Sequence, residues 1–173
     1  MVSFMFIGLV VTILLTPGPT NTLLASAGIQ AGVKQSLKLI PAEVMGYLIA
    51  ITSWGVLLES VSHFIPWLPA LLKLISATFI LYLAFKLWIT STNDIKLDNP
   101  LITPKALFVA TLLNPKALLF ASAIFPHAAW EVLHVYFVHI AIFLSLITPI
   151  AFLWIAFGTV LISNKVTWLN QRN

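Results

Sequence analysis

The stretch Thr16-Pro17-Gly18-Pro19-Thr20-Asn21 lies inside the first hydrophobic run of the chain, between the apolar segments 2–15 and 23–27. Proline removes a backbone donor and clashes with the preceding helical turn, and glycine adds backbone freedom. A helix that crosses a membrane here must therefore break partway across. Because lipid cannot pair with the freed carbonyl groups, these groups must face protein or a water-filled cavity. We interpret the break as one half of a binding site.

The composition is that of an integral membrane protein. The 173 residues are 60% hydrophobic and only 8% charged, whereas about a quarter of a soluble domain is charged. The apolar residues form long blocks, which predicts an all-α, polytopic membrane protein with a single transmembrane domain over residues 1–173. The absence of cysteine excludes disulfides, thiolate metal sites and cysteine nucleophiles. The net charge of +4 is spread among short loops and does not indicate nucleic-acid binding.

Five hydrophobic runs are predicted to be transmembrane helices, since each approaches the ~20 residues that cross a hydrocarbon core. Their approximate bounds are 2–27, 39–58, 70–89, 106–125 and 135–162, and the polar segment 90–105 is the predicted central loop. The N-terminus has neither a basic segment nor a small-residue cleavage site, so we interpret it as the first span and not as a signal peptide. Pro149 predicts a kink in the fifth span.

The basic residues orient the predicted spans. They concentrate in the predicted loop after the first span (residues 28–38), around the central loop and in the tail, and the loops after the second and fourth spans contain none. The residues concerned are Lys34, Lys38, Lys86, Lys96, Lys105, Lys165 and Arg172. Because cytoplasmic loops carry an excess of lysine and arginine, this pattern predicts an N-terminus outside and a cytoplasmic C-terminus.

A second break, Asn114-Pro115-Lys116, interrupts the fourth span. An offset of three spans reverses the direction across the membrane, so discontinuous helices 1 and 4 suggest an inverted repeat whose breaks meet near the midplane. Either break alone is more simply a kink, because proline and glycine are common in transmembrane helices. The pair, each with polar neighbours, favours a site. Half-helix N-termini would then point their positive dipole ends at a shared cavity that suits a substrate carboxylate.

Lys116 is the most informative charged residue. Asn114 suits the N-cap and Pro115 the first position of a new half-helix. Lys116 would then lie in the first turn, where the helix dipole disfavours a cation. A lysine at this depth is costly and indicates a function, such as binding a substrate carboxylate or pairing with an acid. The alternative is that Lys116 snorkels from a shallower position.

Glu43, in the first half of the second span, has two equally favoured interpretations. Acids inside membranes often relay protons or cations, which makes Glu43 the candidate for ion coupling. Alternatively, Glu43 lies near the interface and pairs with Lys34 or Lys38.

The histidines have no spacing typical of a metal site, so no metal and no cofactor are predicted. His134 and His139 are five residues apart and do not share a helix face well. Glu59 and Glu131 are expected at the membrane interface.

Small residues at four-residue spacing are predicted to mediate helix packing. Gly28, Gly32 and Ser36 form one such row, and Ala42 and Gly46 form another in the second span. Rows of this kind let helix backbones approach closely.

These motifs, taken together, resemble those of the LysE/RhtB family of amino-acid exporters. The resemblance covers nearly the whole chain and is most specific in the two proline motifs. It is carried by residues 16–19, Asn21, Gly28, Gly32, Gly46, residues 81–87, residues 113–117 and residues 125–126.

The resemblance implies a secondary transporter that exports amino acids or related small metabolites across the bacterial inner membrane, driven by the proton or ion gradient. Relatives often have an acid directly after Gly46, where this chain has Tyr47, so the ion-coupling acid of the family is either missing here or replaced by Glu43. The substrate site is expected at Thr16, Pro17, Gly18, Pro19, Asn21, Asn114, Pro115 and Lys116.

The chain also departs from the family pattern. His127 follows Pro126 where glutamine is usual, and a sixth hydrophobic segment is expected after the basic tail but does not follow. A short natural variant, a truncated gene and an incomplete piece would all show this pattern, and a homodimer is one way to complete the bundle.

The alternative function is that of an inactive truncated relative with a structural or interaction role in the membrane. An enzyme or a channel is not expected, because no H-E-x-x-H, G-x-S-x-G or filter motif occurs.

Overall fold

The computed structural model describes residues 3–90 and 101–170, without the side chains of residues 162–170 and of several residues between 69 and 90. This part of the chain is helical and contains no strand, which confirms the all-α class. Most of the predicted central loop lies outside the described residues. So do Lys96, Arg172 and the side chains of Lys86 and Lys165. The orientation in the membrane therefore stays a prediction.

The predicted break in the first span is present. Helix α1 (Phe4–Leu15) begins at Ser3, whose side chain accepts a hydrogen bond from the Met5 backbone at 3.1 Å. It ends at Thr16, which has extended backbone angles. Helix α2 (Pro19–Ser36) then begins with proline at a position where no backbone donor is needed.

The polar segment 28–38 is helical, so its assignment as a loop is wrong. Gly32 interrupts α2 with φ 69° and ψ 175°, a backbone conformation that only glycine adopts without strain. A short 3-10 turn (Leu37–Leu39) then leads into α3 (Ile40–Ser62). The chain therefore changes direction mainly at Gly32. The polar residues before and after it remain helical.

The later helices follow the predicted spans. Helix α4 (Leu68–Thr90) corresponds to the third span. The fourth span is broken into α5 (Pro104–Leu112) and α6 (Pro115–Leu119), and α6 continues as a π-helical turn (Phe120–Ile124). The two parts of this span are bent by 42°. The short helix α7 (Ala128–Glu131) precedes α8 (Leu133–Asn170), which continues through Pro149.

The described helices are compatible with a polytopic membrane protein. By length and apolar composition, two helical stretches can cross a membrane, and the bent pair formed by α5 and residues 115–124 makes a third if it is one span. The two stretches are Pro19–Ser62 and Leu133–Leu161. The count of five spans and the inverted repeat stay predictions.

Glycines bring α2 and α8 into backbone contact. A Cβ atom on Gly28 would collide with the Ile155 carbonyl, and one on Gly158 would collide with the Ala25 carbonyl. The Gly28 carbonyl also accepts a hydrogen bond from the Thr159 hydroxyl at 3.1 Å. The packing role predicted for Gly28 is therefore confirmed.

The other two glycines of the predicted packing rows behave differently from each other. Gly46 packs against Thr111 of α5, whose Cβ would lie 2.7 Å from an added Cβ. At Gly32 an added Cβ would meet no atom within 4 Å. The packing role is confirmed for Gly46 and wrong for Gly32, where the glycine is required by the positive φ instead.

Aromatic side chains fill the core beside the two breaks. The ring of Phe143 packs edge-on against Phe120 at a centroid distance of 4.9 Å and against Tyr47 at 5.7 Å. All three side chains are buried. This apolar core closes one side of the polar cluster that surrounds the breaks, because the hydroxyl of Tyr47 points into that cluster.

Candidate functional site

Lys116 joins the two broken helices. Its Nζ atom donates hydrogen bonds to the backbone carbonyls of Ile13 at 2.9 Å and Thr16 at 2.6 Å. The side chain is only 2% exposed, so the alternative that Lys116 snorkels to the surface is wrong. The two breaks, about one hundred residues apart in sequence, are in direct contact in the fold.

The position of the Lys116 charge differs from the expected one. Its backbone belongs to the first turn of α6, where a cation is disfavoured. The side chain, however, extends to the last carbonyls of α1, which form the negative end of that helix. The ammonium group therefore lies at a helix C-terminus, where the dipole favours it.

Asn21 completes the pairing of the carbonyls freed at the first break. Its Nδ2 atom donates to the Leu14 carbonyl at 2.7 Å and to the Thr16 carbonyl at 2.8 Å. The Trp154 indole approaches the Leu14 carbonyl at 3.4 Å from α8. The carbonyls of Ile13, Leu14 and Thr16 thus all have side-chain partners. This satisfies the requirement that buried backbone groups inside a membrane be paired.

Asn114 links three helices at the second break. Its Oδ1 atom accepts a hydrogen bond from the Lys116 backbone at 3.0 Å, which caps α6. Its Nδ2 atom donates to the hydroxyl of Thr20 at 3.2 Å and to that of Tyr47 at 2.9 Å. The predicted N-cap is confirmed, and the same amide also ties α6 to α2 and α3.

Glu43 lies in the same buried cluster. It is 1% exposed, its carboxyl group contacts the Thr20 hydroxyl, and it is within electrostatic range of Lys116. It forms no ion pair with Lys34 or Lys38, so the alternative pairing with these lysines is wrong. Among the described residues, its Oε2 atom has no hydrogen-bond partner. An unpaired buried oxygen of this kind can accept a proton or a donor group of a ligand.

The structure brings the residues of both predicted motifs together and adds two that sequence reasoning did not include in the site. Thr20 and Tyr47 bridge the breaks to Glu43. Tyr47 follows Glu43 by four residues and so shares its helix face, which is a signal present in the sequence. Of the predicted residues, Gly18, Asn21, Glu43, Asn114 and Lys116 are buried, Thr16, Pro19 and Pro115 are half-buried, and Pro17 is exposed.

Comparison with known proteins found individual relatives that match about half of the chain and a family model that matches most of it. A cysteine/O-acetylserine efflux protein of Salmonella paratyphi A is 32% identical over 82 residues, which are 47% of this chain and 42% of that protein. The protein of the same description from Salmonella typhimurium is 31% identical over 80 residues, which are 46% of this chain and 41% of that protein. The matched region thus spans less than half the length of these curated relatives. No solved structure matches the chain.

The family assignment rests on a longer match. The family model described as LysE type translocator matches residues 11–173, which include both helix breaks and every residue of the buried cluster. The chain belongs to the family of LysE type translocators.

Proposed function

We propose that this protein is a secondary transporter that exports small amino acids or related metabolites across the bacterial inner membrane. The observation that carries the proposal is the buried contact between Lys116 and the carbonyl end of α1, which joins two broken helices inside the bundle. Membership of the translocator family supports it, as do the relatives described as cysteine/O-acetylserine efflux proteins.

The substrate carboxylate is proposed to bind Lys116. In the present arrangement the ammonium group contacts two neutral carbonyls. A carboxylate carries a full negative charge, whereas a carbonyl group is neutral, so the ammonium group is attracted more strongly to the carboxylate. A carboxylate that enters the cluster can therefore take Lys116 away from these carbonyls. Asn21 continues to donate to the Thr16 carbonyl when Lys116 leaves.

The substrate ammonium group is proposed to bind the hydrogen-bond acceptors of the same cluster. The C-terminal carbonyls of α1 attract a cation, and the carboxyl group of Glu43 has an oxygen without a partner among the described residues. The cluster therefore offers a cation and an acid within one buried volume. This combination complements both charged ends of an amino acid.

Glu43 is proposed to couple transport to a proton or another ion. A single buried acid beside the site can exchange a proton with one side of the membrane when the cluster opens there. We further propose that the ends bearing Lys34, Lys38 and Lys105 face the cytoplasm, as the positive-inside rule predicts.

The transport proposal is tested by efflux from cells that express this chain. Cells are loaded with radiolabelled cysteine, O-acetylserine, threonine or lysine, and efflux is compared with the empty vector. We expect efflux of at least one substrate, and its loss in Lys116→Ala and Pro115→Ala. Lys105→Ala, which removes an exposed lysine, serves as the matched control and should retain efflux. No efflux of any substrate would overturn the proposal and favour an inactive membrane protein.

The coupling role of Glu43 needs a separate measurement. In proteoliposomes, Glu43→Gln should retain exchange of labelled for unlabelled substrate, because exchange requires no net movement of the coupling ion. The same variant should lose accumulation driven by an imposed pH gradient. Accumulation that equals that of the unmodified protein would exclude Glu43 as the coupling residue, while leaving the transport proposal intact.

A further inference from the structure

A second polar cluster lies away from the helix breaks, at the C-terminal end of α3. Glu59 of α3 approaches His127 at 3.1 Å through the Nε2 atom of the histidine, and Glu131 of α7 approaches the Nδ1 atom of the same ring at 3.4 Å. His63, one turn after Glu59, approaches the other oxygen of Glu59 at 3.4 Å. Two carboxylate and imidazole pairs, each at four-residue spacing, thus face each other from two elements.

The sequence shows no metal-ligand spacing because the donors come from segments almost seventy residues apart. In the fold, Glu59, His127 and Glu131 can each direct one donor atom so that all three atoms lie within 4.8 Å of one another. Donors bound tetrahedrally to zinc at ~2.0–2.2 Å are separated by about 3.4 Å. The 3.1 Å separation between Glu59 and the Nε2 atom of His127 is close to this value, and the donor atom of Glu131 lies within 4.8 Å of the other two.

The surroundings of the cluster also suit a bound ion. Glu59 and His127 line a small pocket of about 90 Å³ together with Ser122. The Ser122 Oγ atom is buried and has no hydrogen-bond partner among the described residues. The side chains of His127 and Glu131 are 67% and 55% exposed, so an ion can enter from solvent.

We infer that Glu59, His127 and Glu131 form a binding site for a divalent first-row transition metal such as zinc. One imidazole nitrogen and two carboxylates are donors that zinc accepts in proteins.

The inferred site is separate from the proposed transport site. Glu59 follows Glu43 by sixteen residues on the same helix, which corresponds to about 24 Å along the axis. A metal here would connect the end of α3 to the segment that follows the broken fourth span. The inference therefore does not depend on the transported substrate.

The test measures metal binding by the purified full chain. Tag-free protein in detergent is treated with a chelator, dialysed and titrated with Zn²⁺ by calorimetry. We expect saturable binding of one ion per chain. His127→Gln and Glu131→Gln should each weaken binding about tenfold or more, since even groups that only orient metal ligands contribute ~10–100-fold. Cobalt(II) should give a visible absorption band that is lost in His127→Gln.

His134→Gln is the matched control, because His134 is exposed and lies outside the cluster. This variant should bind zinc as the unmodified protein does. Absence of saturable binding, or equal binding by all variants, would overturn the inference and leave the cluster as an ion-pair network alone. If His127→Gln does not elute as a folded monodisperse species, the exposed Glu131→Gln variant decides the result.

Discussion

The two helix breaks leave different backbone groups unpaired, and different kinds of residues pair with them. At the second break, α6 begins with unpaired backbone donors, and the neighbouring Asn114 caps them with its own side chain. At the first break, α1 ends with unpaired carbonyls, and their partners come from Asn21, Lys116 and Trp154. A helix C-terminus is normally closed by backbone donors of the following residues. Here two of those residues, Pro17 and Pro19, have no donor.

The pairing of the carbonyls at the first break therefore depends on Lys116 from the second break. The second break is largely capped by its own residues. Removing the Lys116 side chain, which donates from one break to the other, should destabilise both. Removing a local cap should destabilise only the helix that begins at that cap. The following changes test this asymmetry, from the largest expected effect to the smallest.

Lys116→Ala should be the most destabilising change. It leaves the carbonyls of Ile13 and Thr16 with fewer partners and removes the cation near Glu43. A hydrogen bond to a charged group contributes about 1.5–3 kcal/mol, and this change removes two of them. The free energy of unfolding is measured by SDS titration of the purified protein. Lys105→Ala should change it little, and an equal loss in both variants would contradict the proposed link between the breaks.

Asn114→Ala should cost about 2 kcal/mol, because it removes a helix cap and two buried side-chain hydrogen bonds. Asn114→Ser separates these contributions, since serine can cap α6 but cannot reach the Tyr47 hydroxyl. We expect serine to restore about half of the lost stability in the same unfolding assay. Full restoration would show that the bonds to Thr20 and Tyr47 contribute nothing.

Gly18→Ala should cost about 1 kcal/mol, as an overpacked site does. The added methyl carbon would lie 2.9 Å from Cε of Lys116, so the lysine must shift away from its carbonyl partners. In the Lys116→Ala background the same substitution should be nearly neutral. The double-mutant cycle measures this coupling. Gly8→Ala, where an added Cβ meets no atom within 4 Å, is the control. Additive losses would exclude the predicted contact.

Thr103→Ala should have the smallest effect, about 0.5–1 kcal/mol. Thr103 caps α5 by accepting a hydrogen bond from the Ala106 backbone at 3.2 Å, and it is exposed. The variant should retain substrate efflux, because the cap lies outside the buried cluster. A loss as large as that of Asn114→Ala would mean that the Asn114 side chain acts only as a local cap.

The sequence alone determined where the helices break. Proline lacks a backbone donor and asparagine followed by proline starts a helix, and these are local properties that neighbouring residues do not override at residues 16–19 and 114–116. The apolar runs likewise determined the helical class and the approximate bounds of the helices that correspond to these runs. These features could be predicted because each depends on consecutive residues.

Only the tertiary structure decided which groups satisfy the breaks and which charges meet. Lys116 reaches carbonyls about one hundred residues away, so its favourable position at the end of α1 has no local signal. The burial of Glu43 and the convergence of Glu59 with His127 likewise depend on helices that pack side by side. Gly32 shows the same limit: its four-residue spacing suggests packing, but its positive φ serves the change of direction between two helices. Hydrogen bonds and charge interactions require side chains to lie within a few ångströms of one another. The spacing of residues in the sequence predicts such contacts only within one turn of a helix.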